Sequence, residues 1–487
     1  MNLPMTPWRT MSQNDAAEAE SAGSAARATG VTRRAWLGGA LGASLWAWPT
    51  ARAETPSPAS EGLREFVAAP GSAALLAPPA PATRLLLYNG GAPGPLIRLR
   101  KGEELKLRLV NRLDEATTLS FPGLRRPNAV AGVGGLTGAP VPAGGTLDIR
   151  FTPPDSGFNL YGPDVGGATA RQIASGLIGP IVVEEEKPPE ADLETVVLVS
   201  DWRLDDKGVP TDDFADPKVT RGAGRIGPIV TANASPAPIK LTAAPGARVR
   251  LRLANAATAR VMFVAVAGVK PMIVAVDGQP SEPFAPLRNL VPMGPGSRFE
   301  LMFDMPRDAG ATASFVLRGG EAAAIPGEAD RPLVVFEAKG EPVPQRAAAP
   351  AGLPANPLLP AEIDLERAAR FDLAIAGGGA APLTVNGTSL TDWSAKPQFS
   401  VARGAPVTLG YVNKTAVAQT MRLGGHVGRL LHALDDGWEP YWRDTILIAP
   451  GKTVHVAFVA DNPGKWPIGS AIPEHRSAGL AAWMQVG

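Results

Sequence analysis

The amino-acid sequence is poor in the side chains that bind transition metals. It has 487 residues, no cysteine and four histidines, which are His426, His432, His455 and His475. The lack of cysteine excludes a disulfide framework and any metal site that depends on a thiolate ligand. It leaves the redox compartment of the protein open.

Charge of one sign and long apolar runs are also scarce. The formal net charge is +1, so the composition points to neither nucleic acid nor a strongly acidic partner. The apolar run at 35–50 is short of the roughly 20 residues of a membrane-spanning helix. We therefore predict no nucleic-acid partner and no transmembrane anchor in the mature chain.

The residues that are abundant favour β structure. Hydrophobic residues make up 45% of the chain, which also has 54 glycines and 50 prolines. A large apolar content divided by frequent turn residues is typical of an all-β protein. The length predicts roughly three domains of about 150 residues each.

The N-terminal segment predicts export from the cytoplasm. The sequence TRRAWLG at 32–38 resembles the twin-arginine export motif, and Ala51-Arg52-Ala53 offers a cleavage site after the apolar run. We predict that residues 1–53 are a twin-arginine signal peptide and that the mature protein is periplasmic. Residues 54–82, rich in Ala, Pro and Ser, are predicted to form a flexible lead-in.

Two motifs recur three times in the rest of the chain. The first is RKGEELKLRLVN, APGARVRLRLAN and ARGAPVTLGYVN. In each copy a glycine (102, 246 and 404) stands nine residues before a closing asparagine (111, 255 and 413), and a further asparagine (89, 233 and 386) precedes the copy. Alternation of apolar and polar residues predicts a strand with one buried face.

The second motif is VPAGGTLDIRF, MGPGSRFELMF and IAPGKTVHVAF, with a glycine (144, 296 and 451) seven residues before the phenylalanine. Glycine turns that lead into alternating strands are typical of hairpins and sandwiches. Both motifs in the same order predict three homologous β-sandwich domains. We place the domains at 83–187, 194–340 and 363–487, with a Pro/Ala-rich linker at 341–362.

The end of the chain contains three motif-like segments, QTMRLGGH at 419–426, DGWEPYWRDT at 436–445 and GSAIPEHRSAGL at 469–480. These segments resemble the last domain of the multicopper oxidase family, which has H-P-x-H-L-H-G-H, D-G-W-E-P-Y-W-R-D-T and H-C-H-I-x-x-H-x-x-x-G-M at the same spacing. The first domain resembles the family too, because TTLSFPGL at 117–124 and GFNLYGPD at 157–164 match T-T-x-H-W-H-G-L and G-T-x-x-Y-H-x-H. The resemblance implies three consecutive cupredoxin-like Greek-key β-sandwich domains.

The copper ligands of the family are replaced in this sequence. The resemblance places the former trinuclear copper positions at Ser120, Pro122, Gly162, Asp164, Arg422, Gly424, Gly469 and Ala471. It places the former blue-copper positions at Gln419, Ser470, His475 and Leu480. Only His475 keeps a ligand residue. Since the family's sites need a cysteine thiolate and about ten imidazoles in all, we predict no copper, no other metal and no cofactor.

The replaced residues are implied to meet between the first and third domains. Most are small or apolar, so an empty cage would cost stability unless it collapses or fills. Asp164 and Arg422 are oppositely charged, and an arginine can pair with a carboxylate through two parallel hydrogen bonds. Our hypothesis is that this pair, or Arg422 with backbone carbonyls, takes over the metals' role as the bridge between domains.

The remaining polar residues have more than one interpretation. His475 is interpreted as a hydrogen-bonded core residue, with metal binding or a base for Ser470 as alternatives. His455 is predicted to face solvent, and His426 and His432 to be structural. The segment at 435–445 is interpreted as structural, with a partner-binding surface of Trp and Tyr as the alternative.

The favoured function is that of a non-catalytic scaffold. The chain resembles the copper-free, twin-arginine-exported, FtsP-like branch of the family, which implies a periplasmic or inner-membrane protein partner, with the divisome as the candidate. We predict a monomer. An alternative is an oxidase that lost its ligands separately and has another binding role, because the sequence DGWEPYWRDT is closer to that of ordinary bacterial oxidases. A different alternative is an oxidoreductase-family protein with a residual or altered metal site.

Overall fold

The computed structural model describes residues 62–322, 324–344, 346, 349–431 and 438–487. The predicted signal peptide at 1–53, the first part of the predicted lead-in at 54–61, and His432 lie outside the described residues. Within these residues the chain is mostly strand with a few short helices. None of those helices has the length and apolar character needed to cross a bilayer.

The first domain packs a four-stranded sheet on a three-stranded one. Its elements are β1 (Arg64–Ala73), β2 (Thr83–Tyr88), β3 (Ile97–Arg100), β4 (Leu105–Asn111), β5 (Thr146–Phe151), β6 (Gly157–Tyr161), α1 (Thr169–Ala174) and β7 (Gly179–Glu184). The strand orders are β2-β1-β4-β5 and β3-β7-β6. Strand β1 contradicts the predicted flexible lead-in: Phe66 and Ala68 alternate into the core, and β1 pairs with both β2 and β4.

The second domain has sheets of seven and five strands. Its elements are β8 (Leu193–Trp202), α2 (Pro217–Thr220), β9 (Ile229–Ala232), β10 (Ser235–Pro236), β11 (Ile239–Ala243), β12 (Arg248–Asn255), β13 (Met262–Ala267), β14 (Met272–Val276), β15 (Gln279–Phe284), β16 (Leu290–Met293), β17 (Arg298–Asp304), β18 (Thr312–Leu317) and β19 (Arg331–Ala338). The strand orders are β10-β9-β8-β12-β17-β14-β15 and β11-β19-β18-β13-β16.

The third domain carries the motifs of the former copper centre. Its elements are β20 (Ala369–Gly378), β21 (Ala381–Val385), β22 (Ser400–Val401), β23 (Pro406–Asn413), β24 (Gln419–Arg422), β25 (Gly428–Leu431), β26 (Trp438–Arg443), β27 (Thr445–Ile448), β28 (Thr453–Val459), β29 (Gly464–Pro467), α3 (Pro473–Ser477) and β30 (Trp483–Val486). The main sheet has the order β21-β20-β23-β28-β25-β26. Smaller sheets join β22-β30-β29 and β24-β27.

The threefold repeat predicted from the sequence is confirmed by strand pairing. The first motif forms β4, β12 and β23, and the second forms β5, β17 and β28. The two motifs pair antiparallel in every domain. On its other side the first motif pairs in parallel with β1, β8 or β20. The all-β, cupredoxin-like fold is therefore present three times in succession.

The closing asparagines hold the loop that leads into the second motif. All three are buried. Their Nδ2 groups donate to backbone carbonyls of that loop, Asn111 to Val141 at 3.0 Å, Asn255 to Met293 at 3.0 Å and Asn413 to Ile448 at 3.2 Å. Each Oδ1 accepts from the backbone N–H two residues later. A buried backbone carbonyl needs such a donor, which explains why the residue recurs.

Strand β12 departs from the predicted pattern of one buried face. Its apolar side chains face the core of the second domain, but Arg250 and Arg252 on the opposite face are also buried. Arg250 pairs with Glu300 of the neighbouring strand and with Glu185 at the end of the first domain, both at 2.6 Å. The polar face is buried because it packs against another domain instead of water.

Arg298 lies where all three domains meet. Its guanidinium donates to Asn159 of the first domain at 3.1 Å and forms a two-point pair with Asp444 of the third. Asp277 of the second domain accepts from the backbone N–H of Thr445 at 3.1 Å. Since Arg298, Asp277 and Asp444 are all buried, these bonds form in a medium of low dielectric constant and fix the domains relative to one another.

The linker between the second and third domains is anchored by side-chain contacts. Arg346 pairs with Asp192 at 2.6 Å. Asn356 donates to Asp155 of the first domain at 2.8 Å. Asp155 in turn pairs with Arg125, which reaches Asp461 of the third domain at 2.8 Å. The linker is thus part of a second contact between the domains.

We predict that Arg298→Ala lowers the free energy of unfolding by about 3–5 kcal/mol, because it leaves buried carboxylates without a partner. Chemical denaturation of the purified protein measures the change. Arg108→Ala, which breaks the exposed Arg108–Asp148 pair, is the matched control and should cost at most about 1 kcal/mol. Equal losses in the two variants would contradict the junction's role.

Candidate functional site

A cavity of about 60 Å³ lies where the resemblance places the trinuclear copper cluster. Its walls come from all three domains. Six of the eight former ligand positions line it, namely Ser120, Pro122, Gly162, Asp164, Arg422 and Ala471. The other two, Gly424 and Gly469, lie in the third domain but are not among the residues lining the cavity.

Asp164 is the centre of an ion cluster on the cavity wall. Arg422 donates from Nη1 to its Oδ2 at 3.0 Å, as hypothesised from the sequence. Arg476 approaches the same carboxylate, with Nη2 2.9 Å from Oδ1. Asp164 belongs to the first domain and both arginines to the third. One carboxylate therefore bridges the domains through two guanidinium groups.

A third buried arginine lies next to this cluster. Arg126 donates from Nη2 to Ser120 Oγ at 3.1 Å and from Nη1 to the carbonyl of Phe121 at 2.7 Å. Burial and, to a smaller extent, the nearby charge of Arg422 lower the pKa of Arg126 to about 9. Ser120 thus contributes a hydroxyl to an arginine where the family has a histidine for copper.

Three of the former ligand positions are glycines, and a histidine would not fit at any of them unless the surrounding atoms moved. A Cβ atom on Gly424 would lie 2.6 Å from Cδ of Pro467, and one on Gly469 would collide with the carbonyl of Leu480. At Gly162 a Cβ would be 3.1 Å from the carbonyl of Leu177. The backbone has closed around these glycines.

The former blue-copper positions are occupied by three buried polar side chains and one buried apolar side chain. Gln419, Ser470, His475 and Leu480 are buried, and Leu480 belongs to the core of the third domain. Ser470 Oγ accepts from the backbone N–H of Ile472 at 3.1 Å. The nitrogens of His475 contact other groups, so Ser470 and His475 do not form a nucleophile–base pair.

Both ring nitrogens of His475 are engaged. Nε2 lies 2.9 Å from the carbonyl of Gly222 in the second domain, and Nδ1 lies 3.0 Å from the side-chain amide of Gln419. Burial lowers the pKa of His475 to about 4, so the ring is neutral. The atom of Gln419 next to Nδ1 is Oε1, and the Gln419 NH₂ group donates to Thr415 Oγ1 at 3.2 Å. The expectation of a hydrogen-bonded core residue is confirmed.

The two other described histidines also agree with their predicted roles. His426 is buried; its Nδ1 donates to the carbonyl of Gly424 at 2.9 Å and its Nε2 accepts from the backbone N–H of Asn462 at 3.2 Å. That pattern requires the neutral ring, and burial lowers the pKa of His426 to about 4. His455 is exposed on β28.

The segment at 435–445, whose sequence matches the family motif, packs the third domain against the second. Residues 435–437 lie outside the described residues. Tyr441 stacks on Phe284 of the second domain at 5.2 Å, and Trp442 is buried. Asp444 and Thr445 belong to the Arg298 junction. The structural interpretation is supported, whereas a binding surface made of Tyr441 and Trp442 is contradicted by their packing.

The residues at this centre do not fit copper. A blue-copper site needs a thiolate, and the chain has no cysteine. At the former cluster the side chains that reach the cavity wall include Asp164, Arg422 and Arg298, and guanidinium groups repel a cation. In the part of the chain that the structure describes, no three His, Cys, Asp or Glu side chains are grouped to hold a metal ion.

Comparison with known proteins identifies the family. Three models described as multicopper oxidase match residues 74–188, 194–320 and 363–487. A crystal structure of a multicopper oxidase from Pseudomonas thermotolerans is 30% identical, with a TM-score of 0.77 over 87% of this chain and 98% of that one. The chain belongs to the multicopper oxidase family. It has the family's fold, but the residues at the copper-ligand positions differ from those of the family.

Other relatives in the multicopper oxidase family match to different extents. The multicopper oxidase MmcO of Mycobacterium tuberculosis is 26% identical over 82% of this chain and 83% of its own length. Copper resistance protein A of Pseudomonas syringae pv. tomato is 37% identical over 123 residues. That match covers 25% of this chain and 20% of the length of the copper resistance protein.

The sequence did not reveal three of the arginines at this multicopper oxidase-like centre. Arg476 follows His475 directly in the matched motif, but it is not at a ligand position, so the motif does not mark it. Arg126 is one of two adjacent arginines in an otherwise apolar loop, which is a usable signal. Arg298 starts a β-strand in the second domain, which contributes no copper ligands in the family, and nothing local marks it.

We predict that Glu474→Gln flattens the pH dependence of stability. Glu474 Oε1 accepts from Thr258 Oγ1 of the second domain at 2.7 Å, and burial raises the pKa of Glu474 from 4.5 to about 7. The folded state then binds the proton more tightly than the unfolded state. The stabilisation is complete below about pH 4.5 and lost as the pH rises through about 7.

The unfolding free energy of wild type minus that of Glu474→Gln should therefore fall by about 2 kcal/mol between about pH 5 and about pH 8. Denaturant titrations at each pH measure it. Buried His426 and His475 act in the opposite sense, but they are common to both proteins and cancel. The exposed Glu104→Gln variant should show no such trend; a flat difference for Glu474→Gln would refute the assignment.

Proposed function

We propose that this chain is a non-catalytic member of the multicopper oxidase family that is exported to the periplasm and works by binding a protein partner. The observation that carries the proposal is the ion cluster at the former copper centre. Asp164, Arg422 and Arg476 form a bridge between the first and third domains at or beside ligand positions. A centre occupied by guanidinium groups supports a structural role instead of electron transfer.

The contacts between the domains support the same proposal. The Arg298 junction, the Arg125 network and the linker contacts keep the arrangement of the three domains without metal ligands. The proposed activity therefore depends on the outer surface of this rigid assembly. The FtsP-like branch supplies the candidate setting, in which the chain acts as a monomer on a periplasmic or inner-membrane protein of the divisome.

The copper prediction is tested on the full chain exported in copper-rich medium. We expect no stoichiometric copper by elemental analysis, and no oxidation of phenols or Cu(I), because the donors for both copper sites are replaced. The multicopper oxidase from Pseudomonas thermotolerans, produced in the same way, is the positive control. One or more coppers per chain in the native protein would support the alternative of an altered metal site and end the scaffold proposal.

The export prediction is tested with a double variant, Arg33→Lys with Arg34→Lys. We expect loss of the protein from the periplasmic fraction, since the twin-arginine motif needs both guanidinium groups. Arg27→Lys, outside the motif, is the matched control and should be exported normally. Periplasmic accumulation of the double variant would contradict twin-arginine export.

The same proteins test partner binding by crosslinking in intact cells. The exported chain should capture a defined envelope protein that the retained double variant does not, and only the exported chain should correct the stress or division defect of a deletion strain. The absence of both effects would count against the scaffold proposal and leave the fold assignment unchanged.

A further inference from the structure

The ion cluster at the former copper centre has more positive than negative charge. Arg422 and Arg476 share the single carboxylate of Asp164. Arg126 lies close enough for its charge to act on Arg422, yet its hydrogen bonds go to carbonyls and a hydroxyl. Three guanidinium groups thus face one carboxylate. Asp444, the next acidic group, already pairs with Arg298.

Excess charge of this kind is costly in a protein interior. An unpaired buried ion loses its hydration without compensation, so buried charges are normally paired. Burial lowers the pKa of Arg422, and the charge of Arg476 lowers it further against the effect of Asp164. The local electrostatics therefore favour one more negative charge beside Arg422.

The cavity provides space for that charge. Its volume of about 60 Å³ exceeds the about 10–15 Å³ that one water needs. Arg422 lines it, and the Arg422 side chain keeps 19% of its surface accessible although three domains enclose it. Within the described residues, Asp164 is the single acceptor that the Arg422 guanidinium contacts. Free N–H donors of Arg422 are thus available to a small guest.

We propose that this cavity is a binding site for a small inorganic anion, held mainly by the guanidinium of Arg422. The guest is of the size of chloride, bromide or nitrate, because the cavity is too small for an organic acid of several carbons. An arginine suits this role, since its planar group offers several fixed, charge-assisted donors. The site takes an anion at the place where the family holds cations.

A surface groove lies beside the ion cluster. The groove has a volume of about 380 Å³ and is lined by Arg476, Trp393 and the glycine pairs at 134–135 and 166–167. Arg476 contacts Asp164, which lines the inner cavity. Arg476 therefore lines the groove and also contacts the Asp164 carboxylate that lines the cavity.

Anion binding should stabilise the folded protein, because the unfolded chain lacks the site. We expect the Tm of the mature chain to rise with chloride, bromide or nitrate along a saturating curve. Sodium gluconate at the same ionic strength is too large for the cavity and should give a smaller, non-saturating change. Identical curves in chloride and gluconate would overturn the proposal.

Variants at the cluster separate this site from general salt effects. Arg422→Gln should weaken the apparent anion affinity about tenfold or more, since it removes a charged donor. Arg422→Lys should retain part of it, and Asp164→Asn should strengthen it by removing the competing carboxylate. Arg108→Gln, which removes an exposed guanidinium, is the matched control and should behave as wild type. An unchanged affinity in folded Arg422→Gln would refute the assignment.

Crystals of the wild-type chain soaked in bromide provide a test that needs no variant. We expect an anomalous peak in the inner cavity beside Arg422. A cavity without bromide at saturating concentration would overturn the proposal. The anion site and the partner-binding role are independent, so failure of either experiment leaves the other proposal standing.

Discussion

Pairing of buried guanidinium and carboxylate groups across domain boundaries is the constraint on which this structure depends. Each β-sandwich has its own apolar core, but the cores do not fix how the sandwiches sit together. Arg298 with Asp444, Arg250 with Glu185, and Asp164 with its two arginines are contacts that cross from one domain to another. Such pairs are directional and lose much of their energy when one partner moves, so they define a single arrangement.

The Asp164 cluster shows how a metal bridge can be replaced by an ionic one. In the family, loops of the first and third domains are joined by ligands on shared copper ions. Here the backbone pairing of Ser120 with Gly162 and of Met421 with Ser470 keeps those loops in register. The side chains of Asp164 and Arg422 then join the domains in place of the metal. The glycines at 424 and 469 allow close backbone packing around the bridge.

The fold was largely predictable because the sequence repeats the same local patterns in each domain. Alternating strands, glycine turns and the closing asparagines occur in all three copies, and each has a local physical cause. Strand β1 escaped prediction because an Ala- and Pro-rich composition hides two buried positions, Phe66 and Ala68. The burial of Arg250 was not predicted, because the alternation of polar and apolar residues in a strand does not show that another domain will cover the polar face.

The site was predictable only where the family resemblance marks a position. The pair of Asp164 and Arg422 could be inferred because both stand at former ligand positions and have opposite charge. The partners of Arg476 and Arg126 could not be inferred, since they depend on distances between loops far apart in sequence.

Arg422, which stands at a former histidine position, and the neighbouring Arg126 and Arg476 change what the centre can bind while the sign of its charge is preserved. Copper ions are positive and mobile, so neutral imidazoles must hold them. Guanidinium groups are also positive, but they are covalently attached to the chain, so no ligands are needed to hold them. Together they give the centre more fixed positive charge than the single Asp164 carboxylate can balance. The loops of the first and third domains that carry the former ligand positions are joined through the Asp164 carboxylate and its two arginines instead. Loss of the metal and retention of the fold are compatible for this electrostatic reason.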